Sequence, residues 1–109
     1  MILYAENNTE FTLSIDIWDI EFGERVSSAA GLDSEISKDG GAFTDCVNEL
    51  VEIGSTGIYE LTLTSTEMGA NKVDLKFSTT TSGSKIDTVH IYTYSGSVTS
   101  STPVVYWRY

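Results

Sequence analysis

Between Glu52 and Thr81 the chain reads EIGSTGIYELTLTSTEMGANKVDLKFSTTT, and this stretch restricts the fold more than any other. Tyr59, Leu61 and Leu63 put apolar side chains at every second position, with Glu60, Thr62 and Thr64 beside them, which is the period of a strand with one buried face. Val73, Leu75 and Phe77 repeat the pattern, interleaved with Asp74, Lys76 and Ser78. Thr64 stands three residues before Glu67, the spacing of a capping box, and Gly69 follows at the position of a left-handed helix exit. The stretch predicts a strand, one helical turn that reverses the chain, and a second strand at the centre of a β-sandwich.

A chain of 109 residues makes one domain with a core of two packed sheets and leaves no second lobe to form a cleft. Serine and threonine fill 28 positions, a composition that suits strands and turns over long helices. The expected class is all-β. Sixteen acidic residues against six basic ones give a net charge of −10, which repels nucleic acid and complements a basic protein surface. Cys46 is the one cysteine, so an intrachain disulfide is excluded. The start of the chain, MILYAENNTEF, lacks a basic n-region and a long apolar run, and apolar residues nowhere extend for a membrane span, so synthesis in a cytoplasm is expected.

Met1 to Tyr4 is a short apolar lead that reads as an edge strand or an arm. Phe11, Leu13, Ile15 and Ile17 then alternate with Thr12, Ser14, Asp16 and Trp18, predicting a long strand with Trp18 on its outer side. Asp19 to Gly31 has no sustained period and reads as a long loop, a kind that tends to be functional or mobile. Leu32 to Lys38 predicts a strand, and Asp39-Gly40-Gly41 a hairpin turn into a return strand from Phe43. In Val47 to Ile53 the weaker alternation puts Val47, Val51 and Ile53 inward. Ile86 to Tyr94 reads as one strand, with Val89 and Ile91 on one face and His90, Tyr92 and Tyr94 on the other. The count is about seven strands, the pattern of a sandwich or barrel. The domain is expected to span residues 1–94. Residues 95–109 form a Ser/Thr-rich linker and then Pro103-Val104-Val105-Tyr106-Trp107-Arg108-Tyr109, a β-branched and aromatic run that either closes the domain's own sheet or pairs with a neighbouring subunit.

His90 has no nucleophile or orienting acid close in sequence, and reads as a surface or interface histidine. Cys46 has no CxxC partner and no basic neighbour to lower its pKa. Asp16, Asp19, Glu21 and Glu24 could gather at a strand end, but they lack the regular spacing of a calcium loop, so neither metal nor cofactor is expected. Asn7-Asn8-Thr9 matches a glycosylation acceptor, a match that is idle without a secretory signal. The aromatic set is the strongest candidate: Trp18, Tyr92, Tyr94, Tyr106, Trp107 and Tyr109, together with Val104 and Arg108, are residue types that dominate binding interfaces, and the aromatics could equally stack on sugar rings.

Two runs in particular, Ile36-Ser37-Lys38-Asp39-Gly40-Gly41-Ala42-Phe43 and Val51-Glu52-Ile53-Gly54 with Gly57-Ile58-Tyr59-Glu60-Leu61-Thr62-Leu63-Thr64, are followed in order by Glu67, Asn71, Val73 to Phe77 and Val89 to Thr93. In this order of motifs the segment from Ile36 through Thr93 resembles small Ig-like β-sandwich modules of tailed-bacteriophage structural proteins. The resemblance covers a little over half of the chain and implies an Ig-like antiparallel sandwich that is not an enzyme. It departs from antibody-type domains in having neither the cysteine pair nor a tyrosine corner. It further implies a location in the virion, where a stand-alone module suits an auxiliary or decoration protein of the capsid; head-fibre, neck and tail components are the alternatives. The partners implied are virion proteins, the major capsid protein first, and further copies of the chain, with no nucleic acid and no membrane. Removing residues 103–109 is expected to leave a folded domain that no longer binds phage particles; undiminished occupancy in a co-sedimentation assay would exclude that role.

Overall fold

The computed structural model describes residues 1–95, and the linker and the aromatic run from Val104 to Tyr109 lie outside the described residues. The described residues contain no helix and nine strands: β1 (Ile2–Glu6), β2 (Phe11–Asp19), β3 (Asp33–Lys38), β4 (Thr44–Asp45), β5 (Val51–Glu52), β6 (Ile58–Leu63), β7 (Lys72–Ser78), β8 (Ser84–Ile86) and β9 (Val89–Tyr94). They form a five-stranded sheet in the order β1-β9-β7-β3-β4 and a four-stranded sheet in the order β5-β6-β2-β8. The order is that of a β-sandwich in which β5, β6 and β2 stand as strands D, E and B and β4, β3, β7 and β9 as C′, C, F and G would in an immunoglobulin-type domain, while β8 takes the edge beside β2 where that domain has its first strand, and β1 lies beside β9.

The alternation in the sequence supplies the core. Leu13, Ile15 and Ile17 of β2 and Tyr59, Leu61 and Leu63 of β6 face Ile36 of β3, Val73 and Leu75 of β7, and Val89 and Ile91 of β9, all of them buried. Each such side chain contributes about 1.5–3 kcal/mol relative to exposure. The outward residues of the same strands are polar or partly exposed, so each sheet has one dry and one wet face.

The capped turn carries the chain from β6 in one sheet to β7 in the other. The Thr64 amide donates to Glu67 Oε1 at 2.8 Å and the Glu67 amide to Thr64 Oγ1 at 3.1 Å, the two reciprocal bonds of a capping box. The second carboxylate oxygen of Glu67 accepts the Val47 amide at 2.9 Å. Met68, fully buried, plugs the end of the core beneath the turn. The Asp39-Gly40 hairpin also forms, with φ of 51° and 78° at those two residues.

Five expectations need correction. The strands number nine among the described residues because the lead, Ile2–Glu6, is a strand and because β8 and β9 divide a segment that reads as one. The sheet pairing is not wholly antiparallel, since β1 runs parallel to β9 with Leu3 opposite Ile91. Ile86 to Tyr94 is two strands, because Ile86 pairs with Ile17 in one sheet whereas Val89 pairs with Leu75 in the other. Val47, Val51 and Ile53 are exposed, and Leu50 is the inward residue of that segment; Val51 lies opposite Glu60 and so shares its outer face. Gly69 does not adopt positive φ, and its lack of a side chain serves instead a close approach of Asn8, whose Oδ1 would lie 2.9 Å from a Cβ there.

Glu67→Ala is expected to lower unfolding free energy by about 1 kcal/mol, because it removes the side chain that accepts the part-buried amides of Thr64 and Val47. Glu67→Gln keeps an acceptor oxygen and should cost less. Urea denaturation of both variants measures the difference.

Candidate functional site

The loop after β2 is held far more firmly than its irregular sequence suggests. Tyr59 Oη, in the core, donates to the Val26 carbonyl at 2.7 Å and accepts the Ala29 amide at 3.0 Å. Glu52 accepts the Ser28 amide on one oxygen and the Gly57 amide on the other, each at 2.9 Å. Gly57 must be glycine: its φ is +76°, and a Cβ would stand 2.5 Å from Arg25 Cβ.

At the tip of this loop Asp19 builds a tight turn. Its Oδ1 accepts the amides of Glu21 at 2.7 Å and Phe22 at 3.1 Å, its carbonyl accepts Gly23 N at 2.8 Å, and its own amide donates to the Glu24 carbonyl at 2.7 Å. The Ile20 amide donates to the Gly83 carbonyl at 2.9 Å, tying the turn to the approach to β8. The turn nevertheless presents Ile20 and Phe22 to solvent, 69% and 71% exposed. Glu21 and Glu24 flank them and are exposed as well. Trp18 lies at the base of this tip, 36% exposed, with the Arg25 guanidinium 4.9 Å above its ring and Arg25 Nε 3.1 Å from Asp16 Oδ1. A rigid turn with two large apolar side chains and an acidic rim has the chemistry of a peg for an apolar recess bordered by basic groups.

Tyr92 and Tyr94 lie elsewhere, on the outer face of the five-stranded sheet, while Trp18 is on the opposite sheet. The tyrosines are joined there by Tyr4, whose ring centroid is 6.0 Å from that of Tyr92, and by Lys72, whose Nζ is 5.7 Å from the Tyr92 ring. The candidates from the tail (Val104, Tyr106, Trp107, Arg108, Tyr109) fall outside the described residues. Ile20, Phe22 and Tyr4 were not singled out in the sequence. Two apolar residues set among Asp19, Glu21 and Glu24, where no strand or helix period buries them, were the available signal.

His90 does acquire an acid, because Asp74 stands opposite it across the β7–β9 pairing: Nδ1 is 2.6 Å from Asp74 Oδ1, and Nε2 is 3.3 Å from Thr88 Oγ1. The order hydroxyl, imidazole, carboxylate is that of a nucleophilic triad. It lies on an open sheet face, with the His90 side chain 40% exposed, whereas a shallow recess lined by Glu49, Val51, Glu60 and Thr62 is on the other sheet.

Asp16, Asp19, Glu21 and Glu24 do not pool their carboxylates, since Asp16 pairs with Arg25 and Asp19 binds backbone amides. The acids that do converge are Asp33, Glu35 and Asp45, with one oxygen of each within 4.8 Å of the others. Desolvation first, then the charges of Asp45, Glu35 and Glu49, hold Asp33 above the usual carboxylate range. Lys76 sits 3.4 Å from Glu35 and offsets part of this charge. Burial first, and then Glu67 and the neighbouring acids, push the Cys46 thiol up to about 12, which keeps it protonated and unreactive. Comparison with known proteins finds no matching family model, no matching curated protein and no matching solved structure.

The two amide bonds from Ser28 and Gly57 hold Glu52 below its ordinary value of 4.5. A depressed carboxylate adds stability that is present above the unfolded value and is lost as pH falls through the folded one. Glu52→Gln should therefore lower the urea midpoint at pH 7, and the gap to the parent protein should close as the pH drops below 4.5 and through the depressed value. A gap that stayed constant with pH would show that the charge on Glu52 is irrelevant to the loop.

Proposed function

We propose that the chain is a non-enzymatic docking module, a structural protein of a bacteriophage virion that sits on the capsid shell as an auxiliary or decoration protein. The observation that supports docking best is the Asp19 turn, which spends five hydrogen bonds on holding Ile20 and Phe22 in water. Apolar area kept rigid before binding loses little conformational entropy on binding, which is how a small contact gains affinity. The rim of Glu21 and Glu24 and the charge of −10 select a partner whose recess is bordered by lysine or arginine.

The virion assignment rests on the resemblance of Ile36 to Thr93 to phage Ig-like modules, and the major capsid protein is the partner that it implies. A place in the tail, neck or head fibre would use the same contact. Non-enzymatic action fits the setting of His90, since an open sheet face neither excludes water nor holds a substrate over the imidazole. A carbohydrate-binding adhesion module is the alternative reading; Arg25 over one face of Trp18 leaves at most the other face for a sugar ring to stack on.

Replacing both Ile20 and Phe22 by serine should reduce binding to purified phage particles by about tenfold or more, read by co-sedimentation, with the fold intact by circular dichroism. His90→Ala should leave binding unchanged. Full occupancy by the double serine variant would overturn the docking role of the turn, and glycan-array signals lost with Trp18→Ala would favour the alternative.

A further inference from the structure

We propose that the run from Val104 to Tyr109 pairs with the outer edge of β1 in its own chain and so extends the five-stranded sheet. The inference concerns closure of the domain and stands apart from the docking reading. Among the described residues the two sheets end on β1, β4, β5 and β8, and the last three are only two or three residues long, which blunts them as templates for another strand. β1 has five residues, carries Ile2 and Tyr4 exposed, and holds no lysine or proline that would blunt it. The Met1 carbonyl accepts the His90 amide at 2.8 Å and the Asn7 amide donates to the Tyr94 carbonyl at 2.9 Å. In a parallel ladder that phase turns the backbone groups of Leu3 and Ala5 toward β9 and those of the residues between them toward the edge.

Register brings the run to this edge. β9 runs parallel to β1, and Tyr94 at its end lies opposite Glu6 at the end of β1. A segment leaving β9 there reaches the far side of β1 by crossing two strand spacings, about 10 Å. Residues 96–102 extend up to about 23 Å, more than enough for that step. The run then lies antiparallel to β1 and matches it in length, and Pro103 stands at its start, where an edge strand tolerates proline. The short linker holds the run at an effective concentration in the millimolar range. Second copies that each carry −10 repel one another, so the chain's own run reaches the edge ahead of a neighbour's.

Parity fixes which way the run faces. Ala5 is buried and Leu3 partly buried against the core, while Ile2 and Tyr4 turn outward. In the run Val105 and Trp107 alternate with Tyr106 and Arg108. With Val105 and Trp107 inward, they continue the apolar side that Leu3 and Ala5 begin. Tyr106 then joins Tyr4 and Tyr92, whose ring centroids are 6.0 Å apart. Arg108 meets an outer face on which Glu6, Glu35, Asp45 and Asp74 outnumber Lys72 and Lys76. The opposite facing would set Arg108 against Leu3 and Ala5 and leave Trp107 in water, which costs on both counts.

Trp107 reports on this directly once Trp18→Phe makes it the one tryptophan of the full chain. At about 1 μM, where weak contacts between copies do not populate, its emission should be that of an indole shielded from water and should shift to the red in the same urea transition that unfolds the domain. Trp107→Thr should lower the urea midpoint more than Tyr106→Thr, with both variants folded by circular dichroism, and removing residues 103–109 should lower it at least as far as Trp107→Thr. Emission of a solvent-exposed indole from the folded protein would overturn the proposal. So would equal or reversed effects of the two threonine variants. Shielding of Trp107 that appears only as the mass in sedimentation equilibrium rises from 11.9 kDa toward twice that value would assign the run to a neighbouring copy and overturn it as well.

Discussion

The face-to-face burial of alternate residues from β2 and β6 against those of β7 and β9 is the constraint on which the rest of the structure depends. Removing Leu61, Leu63, Val73, Leu75 and Ile91 from water holds the two sheets together without a disulfide. It also fixes which side of every strand is wet, because a slip of one residue would turn a whole apolar set outward. The outward positions of Trp18, Tyr92 and Tyr94 follow from this parity. So does the separation of Trp18 from the two tyrosines, since they belong to outer faces on opposite sides of the core.

The sequence revealed the elements whose burial writes a period of two. In β2, β6, β7 and β9 the alternation is long enough for one face to be read directly, and the Thr64–Glu67 spacing announced its reciprocal bonds because both partners are local. What depends on pairing was hidden. Ile86 stands three residues before Val89 and so falls out of phase with Val89 and Ile91, a break that marks where the chain changes sheets although the segment reads as one strand. Val51 is β-branched and apolar, yet two residues of β5 take their facing from Glu60 and Tyr59 on the neighbouring strand. The parallel course of β1 beside β9 and the meeting of His90 with Asp74 are likewise matters of register between distant segments.

The site was legible in part. Trp18 was found because its parity set a large aromatic against solvent, but Ile20 and Phe22 lie in a loop where no period speaks for them. Their significance comes from Asp19, whose carboxylate substitutes for a partner strand by accepting two amides, and from Tyr59 and Glu52, which anchor the loop to β6 and β5. An apolar side chain on a mobile loop would cover itself at little cost. On this turn it cannot, and that held exposure is what the proposed docking rests on.

Electron cryomicroscopy of a phage particle carrying the protein tests the central claim most directly. The account predicts a sandwich on the shell with Ile20 and Phe22 seated in an apolar recess of a structural protein and with basic side chains beside Glu21 and Glu24. A particle on which the Asp19 turn points into solvent while a different surface makes the contact would contradict it.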